Sequence, residues 1–199
     1  MLDKILIEVD KGLKTLTVRT HAKRSRPDIN LKDTKDLASS DMKVHSKYMR
    51  VNHSGEICAQ ALYRGQLFFN KNTEIKSELE AAADEELDHL SWCAERIEEL
   101  GGKKSKLNPI LYSSSFLIGA VTSLIDEKYN LGFLAETEKQ VSLHLSQHLK
   151  HINKVDVKTI KILEQMRSDE EEHEKSAIKK KKKKLPKLAQ KLMSSTSKL

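Results

Sequence analysis

The chain has 199 residues, of which 38% are hydrophobic and 33% charged, and its formal net charge is +7. This length suits one domain with short additions and a real buried core, while two cysteines are too few for a disulfide framework. Few glycines and prolines, together with many apolar runs of helical period, predict an all-α protein.

Residues 1–40 are predicted as an N-terminal amphipathic helix followed by a polar linker. Along residues 2–16, apolar residues recur on one side: Leu2, Ile5, Leu6, Val9, Leu13 and Leu16. Charged residues interrupt this run, so it is not typical of a secretory signal. Residues 17–40 are polar and contain the turn signal Arg26-Pro27-Asp28.

Residues 41–184 are predicted as a helical bundle whose first two helices span about 43–70 and 73–100. In the first helix, Glu56 shares a face with Met49 and Tyr63, but the flanking Arg50 and Arg64 leave its role open. In the second helix, Glu86 stands in an apolar stripe with steps of three and four residues: Leu79, Ala83, Glu86, Leu90, Cys93, Ile97 and Leu100. The pair Gly101-Gly102 predicts the end of this helix.

The segment 107–125 has 19 consecutive uncharged positions. Asn108 and Pro109 are typical of a helix start, whereas the asparagine, the proline and three consecutive serines make a transmembrane span unfavourable. Two interpretations stay open. The segment is either a buried crossover helix or a helix lying in a membrane interface beside the entrance for an apolar substrate.

The last two bundle helices are predicted at about 127–153 and 156–183. Glu138 replaces a core residue in the first of these stripes: Leu131, Leu134, Glu138, Val141, Leu145, His148, Ile152 and Val155. Glu170 and His173 take core positions in the stripe of the second helix: Ile160, Leu163, Met166, Glu170, His173 and Ala177. A lone buried carboxylate is costly, so glutamates at core positions of several helices indicate a shared partner.

Residues 185–199 are predicted as a short tail that follows six consecutive lysines, Lys179 to Lys184. A basic run beside the apolar residues of this tail suits an anionic membrane surface, to which the protein would bind peripherally. No aromatic residue lies among the lysines and no nucleic-acid fold signature is present, so nucleic acid is not an expected partner.

One spacing occurs twice, as Glu86-Leu-Asp-His89 and as Glu170-Glu-Glu-His173. Three residues are nearly one helical turn, so the carboxylate and the imidazole of each pair leave the same face. Two such pairs, with one glutamate from each of two other helices, form the ligand set of a dinuclear iron or manganese site in a four-helix bundle. Four other glutamates lie outside the apolar stripes and are predicted as solvated surface charge: Glu80, Glu85, Glu136 and Glu171.

Several uncommon sequence words occur in one order along nearly the whole chain. They are Arg50-Val-Asn-His-Ser-Gly-Glu56, Tyr63-Arg-Gly-Gln66, His89-Leu-Ser-Trp92, Leu107-Asn-Pro109, Leu131-Gly-Phe133 and Glu136-Thr-Glu138. In these words the chain resembles the demethoxyubiquinone hydroxylases of ubiquinone synthesis, and most of all their bacterial branch.

This resemblance implies a ferritin-like four-helix bundle with an added apolar crossover helix and a short N-terminal amphipathic helix. It implies two iron ions per chain, one held by Glu56, Glu86 and His89, and the other by Glu138, Glu170 and His173. Glu86 and Glu170 would bridge the ions. His144 and Tyr63 are candidates for a supporting role, His144 in proton or electron delivery, although an ordinary half-buried histidine is an equal alternative.

The reaction implied by the resemblance is O₂-dependent hydroxylation of the ring of a polyprenyl methoxy-benzoquinol, with electrons from an external reductant. Because such a substrate stays in the bilayer, the expected location is the cytoplasmic face of the bacterial cell membrane, with other proteins of the same pathway as partners. Two other functions stay open from the residues alone. One is iron storage or peroxide handling in a ferritin- or rubrerythrin-like bundle, and the other is a metal-free helical membrane-binding protein.

Overall fold

The computed structural model of the chain describes residues 2–17, 22–32, 37–125, 129–180, 185 and 190–191. Within these residues there are six helices and no strand, which confirms the all-α prediction. The helices are α1 (Leu2–Thr17), α2 (Ser39–Phe69), α3 (Thr73–Glu99), α4 (Asn108–Ile125), α5 (Asn130–His151) and α6 (Val157–Lys180). Positions 127–128 of one predicted helix, Lys181 to Lys184 and most of the predicted tail lie outside the described residues.

Helices α2, α3, α5 and α6 form the ferritin-like bundle, in which α2 packs on α3 and α5 packs on α6. Short connections join the two helices of each pair, as in antiparallel neighbours. Asn72 caps α3, because its side chain accepts hydrogen bonds from the backbone N–H groups of Glu74 and Ile75 at 3.0 and 3.2 Å. Gly101, with a φ of 72°, ends α3 as predicted.

Of the three apolar clusters in the described residues, two lie inside the bundle, one towards each end, and the third lies between the bundle and α4. One cluster contains Tyr63, Leu79 and Leu134, and the other contains Met49, Trp92 and Met166. Most residues of the predicted stripes are buried, but Val155 is 39% exposed, so its assignment to the core is wrong. It lies in the connection between α5 and α6, where the helical phase no longer applies.

Helix α4 lies on the outside of the bundle, in direct backbone contact with α2. A Cβ atom at Gly65 would lie 2.1 Å from the carbonyl oxygen of Phe116, and one at Gly119 would lie 2.1 Å from that of Leu62. Among the described residues, only one side of α4 is covered, so the segment 107–125 is a surface helix and not a buried crossover. None of the helices in the described part of the chain is long and apolar enough to cross a membrane.

Helix α1 crosses α2 and α4 with its polar side inwards. Arg64 Nε donates to Glu8 Oε2 at 2.9 Å, and Gly12 lies against the ring of Tyr112. Apart from Leu16, which packs against the cluster containing Tyr112, the apolar residues of α1 therefore point to solvent beside those of α4. We call this set the exposed apolar face, and each of its members is more than half exposed: Leu2, Leu6, Val9, Leu13, Ile110, Leu117, Val121 and Leu124.

Candidate metal centre

Four glutamates from four helices meet between the two apolar clusters of the bundle. Glu56 is on α2, Glu86 on α3, Glu138 on α5 and Glu170 on α6, and none is more than 1% exposed. Each replaces an apolar residue in the phase of its own helix, so the helical pitch turns all four side chains inwards. The interior of this bundle therefore contains a carboxylate layer.

The six residues predicted as ligands form two overlapping groups of potential ligand atoms. One group contains Glu56, Glu86, His89 and Glu170, and the other contains Glu86, Glu138, Glu170 and His173. Within each group, one ligand atom per residue lies within 4.8 Å of all the others. Glu86 and Glu170 belong to both groups, which is the arrangement expected of two bridging carboxylates.

Both histidines turn Nδ1 towards the glutamates. Nδ1 of His89 lies 3.3 Å from Glu86 Oε2 and 3.1 Å from Glu170 Oε1. Nδ1 of His173 is farther away, at 3.8 Å from Glu138 Oε1 and 3.9 Å from Glu170 Oε2. None of these contacts has hydrogen-bond geometry, since both Nδ1 atoms lack a partner among the described residues.

The other ring nitrogen of each histidine contacts a carboxylate from the opposite helix. Nε2 of His89, on α3, lies 3.0 Å from Asp169 Oδ2 on α6. Nε2 of His173, on α6, contacts Glu85 on α3. Such a bond fixes the ring orientation and places the hydrogen on Nε2, which leaves the Nδ1 lone pair for a metal ion.

The hydrophobic periodicity of the helices does not identify Glu85 and Asp169 as partners of the histidines. Glu85 is 37% exposed, in keeping with its prediction as surface charge, but its carboxylate also binds His173. Asp169 does not belong to the predicted stripe of its helix, yet it is buried and contacts His89. A signal was present in the sequence, because each Glu-x-x-His pair is directly preceded by another acid, Glu85 or Asp169.

The four buried glutamates repel one another electrostatically. Burial, followed by the negative charge of Glu86, raises the pKa of both Glu56 and Glu170 well above the ordinary value. Burial raises the pKa of Glu138 as well. Burial alone would lower the pKa of His89, but the nearby carboxylates of Asp169, Glu170 and Glu86 raise it well above the ordinary value. Four crowded carboxylates in a buried layer therefore need positive charge beside them.

Two divalent cations fit this donor set. Several buried oxygens have no hydrogen-bond partner among the described residues, namely Glu56 Oε2, both Glu86 oxygens, Glu138 Oε2 and both Glu170 oxygens. Buried polar atoms without a partner are rare in proteins and need an explanation. Four carboxylates balance the charge of two divalent ions, and carboxylate oxygens with imidazole nitrogens suit iron or manganese.

The two supporting candidates lie in different places. Tyr63 is fully buried, and its hydroxyl donates to Glu138 Oε1 at 2.7 Å, so it directly contacts the carboxylate layer. His144 is half-buried and packs against His148, with ring centroids 3.9 Å apart. The Nδ1 atom of His148 in turn lies 2.7 Å from Asn52 Oδ1, four residues before Glu56.

A polar cleft of about 330 Å³ reaches the layer from the side of α3 and α6. Its lining includes His173, Glu85 and Asp169, with further acids at Glu78 and Glu172. The side chain of His173 is 14% exposed, while that of His89 is fully buried. The two histidines therefore differ in their access to solvent.

Comparison with known proteins gives one consistent result. The family described as ubiquinone biosynthesis protein COQ7 matches residues 43–199. A 3-demethoxyubiquinol 3-hydroxylase of Legionella pneumophila (strain Paris) is 47% identical over 200 residues, covering 100% of this chain and 93% of that protein. Proteins of the same name from Chromobacterium violaceum and Ectopseudomonas mendocina are 42% and 47% identical, covering 99% and 85% of this chain and 98% and 79% of those proteins.

Proposed function

This chain belongs to the COQ7 family of ubiquinone biosynthesis proteins and is a hydroxylase of that pathway, and we propose that it hydroxylates the ring of a polyprenyl demethoxyubiquinol at a two-iron centre. Glu56, Glu86 and His89 hold one ion, and Glu138, Glu170 and His173 hold the other, with Glu86 and Glu170 shared. The observation that carries this proposal is the pair of overlapping ligand groups in a buried layer of unpartnered carboxylate oxygens.

The protein side chains have four roles in this reaction. The carboxylates neutralise the two ions, and Asp169 and Glu85 hold the imidazoles with Nδ1 turned inwards. Tyr63 fixes one oxygen of Glu138 by donating a hydrogen bond to it, which leaves Oε2 for a metal ion. The apolar clusters above and below the layer exclude water. Bound iron supplies the activation of O₂, with electrons from an external reductant.

The first test is metal content after anaerobic loading with ferrous ion. We expect about two irons per chain in the wild type, as in other sites of this ligand type, and loss of iron in Glu170→Ala. Glu171→Ala is the matched control, because this exposed neighbour pairs only with Arg167 among the described residues. Loaded wild-type protein should also convert demethoxyubiquinol to its hydroxylated product when O₂ and a reductant are supplied.

Four outcomes would contradict the proposal. If the wild-type protein is folded, with a helical circular dichroism spectrum, but contains little iron after loading, the proposed iron-dependent reaction is excluded. Equal iron in Glu170→Ala and Glu171→Ala would place the metal elsewhere. Iron uptake without any quinol turnover would favour a function in iron storage. Selective retention of manganese would show that manganese, and not iron, is the metal held by these ligands.

The substrate is of the quinone type, and we propose that the protein takes it from a membrane through the exposed apolar face. Apolar patches of this kind on a protein surface mark sites of interaction. Helix α1 contributes to the patch because Glu8 and Gly12 occupy its inner side, so the exposed Leu2, Leu6, Val9 and Leu13 can enter a lipid interface. The protein would then bind peripherally, on the cytoplasmic face of a bacterial membrane and beside other proteins of the pathway.

Flotation with liposomes tests this docking surface. The double variant Leu117→Glu/Val121→Glu should bind liposomes much more weakly than the wild type, whereas Leu143→Glu, at an exposed apolar position on α5, should bind normally. Equal binding by all three proteins would refute the assigned face. Deletion of Lys181 to Leu199 should weaken binding to anionic vesicles but not to neutral ones, and unchanged binding to anionic vesicles would refute the electrostatic contribution.

A further inference from the structure

Arg24 lies in the segment 22–32, which precedes α2, and its side chain reaches the carboxylates beside the candidate metal centre. We propose that Arg24 is a positioning residue, whose single guanidinium holds both carboxylates that orient the two metal-binding histidines. This role rests on the proposed two-metal centre, and it adds a residue from outside the bundle and outside residues 43–199 matched by the family.

Two nitrogens of Arg24 contact the two histidine partners, and Nη2 also lies 3.5 Å from Nε2 of His89 itself. Its Nη2 atom lies 3.0 Å from Asp169 Oδ2, the same oxygen that contacts Nε2 of His89. Its Nη1 atom lies 3.2 Å from Glu85 Oε1, while the other oxygen of Glu85 contacts His173. One planar group therefore joins α3 to α6 through both histidine partners.

The guanidinium is itself held in place on two sides. Its Nε donates to Asp88 Oδ2 at 2.8 Å, and the backbone N–H of Lys23 donates to the other oxygen of Asp88 at 2.6 Å. Its Cζ atom lies 5.0 Å from the ring centroid of Trp92, a favourable cation–π distance. Because every nitrogen has a carboxylate partner, the plane of the group is fixed by protein atoms.

Only an arginine provides this geometry. The guanidinium carries donors in a rigid fork that can bind several carboxylates at once, whereas the lysine ammonium is a compact charge on a flexible stem. Without Arg24, Asp169 would retain Gln165 as a neighbour, but Glu85 would lose its only cationic partner other than His173 among the described residues. The Glu85 side chain is already 37% exposed, so it would turn to solvent and release the His173 ring.

The test compares Arg24→Gln with Arg26→Gln, using cobalt(II) as the probe metal in the full-length chain. Arg26 is the matched control, since it anchors the same segment through Asp28, Glu95 and Glu99 and contacts neither histidine partner. Cobalt affinity should fall about 10- to 100-fold in Arg24→Gln, the usual effect of removing a group that orients a ligand. Arg26→Gln should bind cobalt like the wild type, and Arg24→Lys should fall between the two.

A second readout separates positioning from general stability. In the cobalt-loaded wild type, the Nε2–H protons of both histidines should give exchangeable, hyperfine-shifted NMR signals. In Arg24→Gln the His173 signal should broaden or disappear through faster exchange, while the His89 signal, from a fully buried ring, persists. Circular dichroism and thermal midpoints show that the variants are folded, and Arg24→Lys serves in place of Arg24→Gln if the latter unfolds.

The outcomes distinguish this role from the proposed centre. Wild-type cobalt affinity and NMR signals in Arg24→Gln would overturn the role of Arg24 and leave the centre intact. An equal loss in Arg24→Gln and Arg26→Gln would also overturn it, because docking of the segment would then be the cause. A wild type that binds no cobalt would overturn the two-metal centre and the role of Arg24 with it.

Discussion

The close crossing of α2 and α4 makes a strong prediction about two glycines of the same helix. Gly65 lies at the crossing, where an added Cβ would be 2.1 Å from Phe116 O and 2.8 Å from Ala120 N, both backbone atoms. Gly55 is exposed on α2, and an added Cβ there would meet nothing within 4 Å. Gly65→Ala should therefore destabilise the protein, whereas Gly55→Ala should stabilise it.

The magnitude follows from the distances. Backbone atoms cannot rotate away, so the helices in Gly65→Ala must separate by about 1 Å to restore ordinary contacts, and a gap of this size forfeits roughly a quarter to a half of the local dispersion energy. Overpacking of this kind costs about 1–3 kcal/mol or more, and the rigid obstacle points to about 3 kcal/mol. Gly55→Ala should instead gain about 0.5–1 kcal/mol, since alanine suits a helix interior better than glycine.

Urea unfolding followed by circular dichroism measures both free energies. In thermal scans, Gly65→Ala should lower the midpoint by roughly 6–12 °C, from about 2–4 °C per kcal/mol for a chain of this size. Gly119→Ala separates the same two helices, so its cost should add to that of Gly65→Ala less than fully. A Gly65→Ala protein as stable as the wild type, or changes of the same sign at Gly65 and Gly55, would refute the direct backbone contact.

Other predictions concern the centre and its surroundings. Tyr63→Phe removes a hydrogen bond to a charged group, worth about 1.5–3 kcal/mol, so iron should be lost to a chelator roughly 10-fold faster or more; an unchanged rate would show that Tyr63 does not hold Glu138. His144→Ala should retain iron and lose turnover, and loss of iron would contradict a supporting role. Burial lowers the pKa of His53 to about 4, below the unfolded value of about 6.5. The unfolded chain then binds the proton first, so the free energy of unfolding falls as the pH falls from 6.5 to 4, by about 1.4 kcal/mol per unit for this group. His53→Gln should show a correspondingly shallower slope in urea titrations, and an identical slope would exclude His53 as the source.

The glutamates of the bundle were predictable wherever the stripe around them was otherwise apolar. Glu86, Glu138 and Glu170 interrupt such stripes, and all three are fully buried. Glu56 was ambiguous because Arg64 lies near its face, and the ambiguity ends only when the structure shows that Arg64 pairs with Glu8 of α1. These two residues are 56 positions apart in the sequence, and a contact between them cannot be read from the hydrophobic periodicity of either helix.

The orientation of α1 could not be predicted for a similar reason. Its pattern indicates an amphipathic helix, and in most proteins such a helix turns its apolar side inwards. Here the inner side contains Glu8 and Gly12, because Arg64 supplies an ionic partner and the ring of Tyr112 lies against the glycine. The orientation is thus decided by two residues of other helices, and the apolar side of α1 extends the exposed side of α4 instead of the core.

The same sequence pattern occurs in α3 and in α6, but the surroundings of its two copies differ. In each copy an acid precedes the Glu-x-x-His pair, and each acid binds the histidine of the other copy. Yet Asp169 and His89 are at least nine-tenths buried, whereas Glu85 is 37% exposed and His173 borders an acidic cleft. Electrostatic interactions weaken where water reaches them, so Glu85 holds its histidine less firmly than Asp169 does. Arg24 contacts both acids, but only Glu85 depends on it to remain in place, and the two halves of the centre are therefore chemically unequal despite their shared sequence pattern.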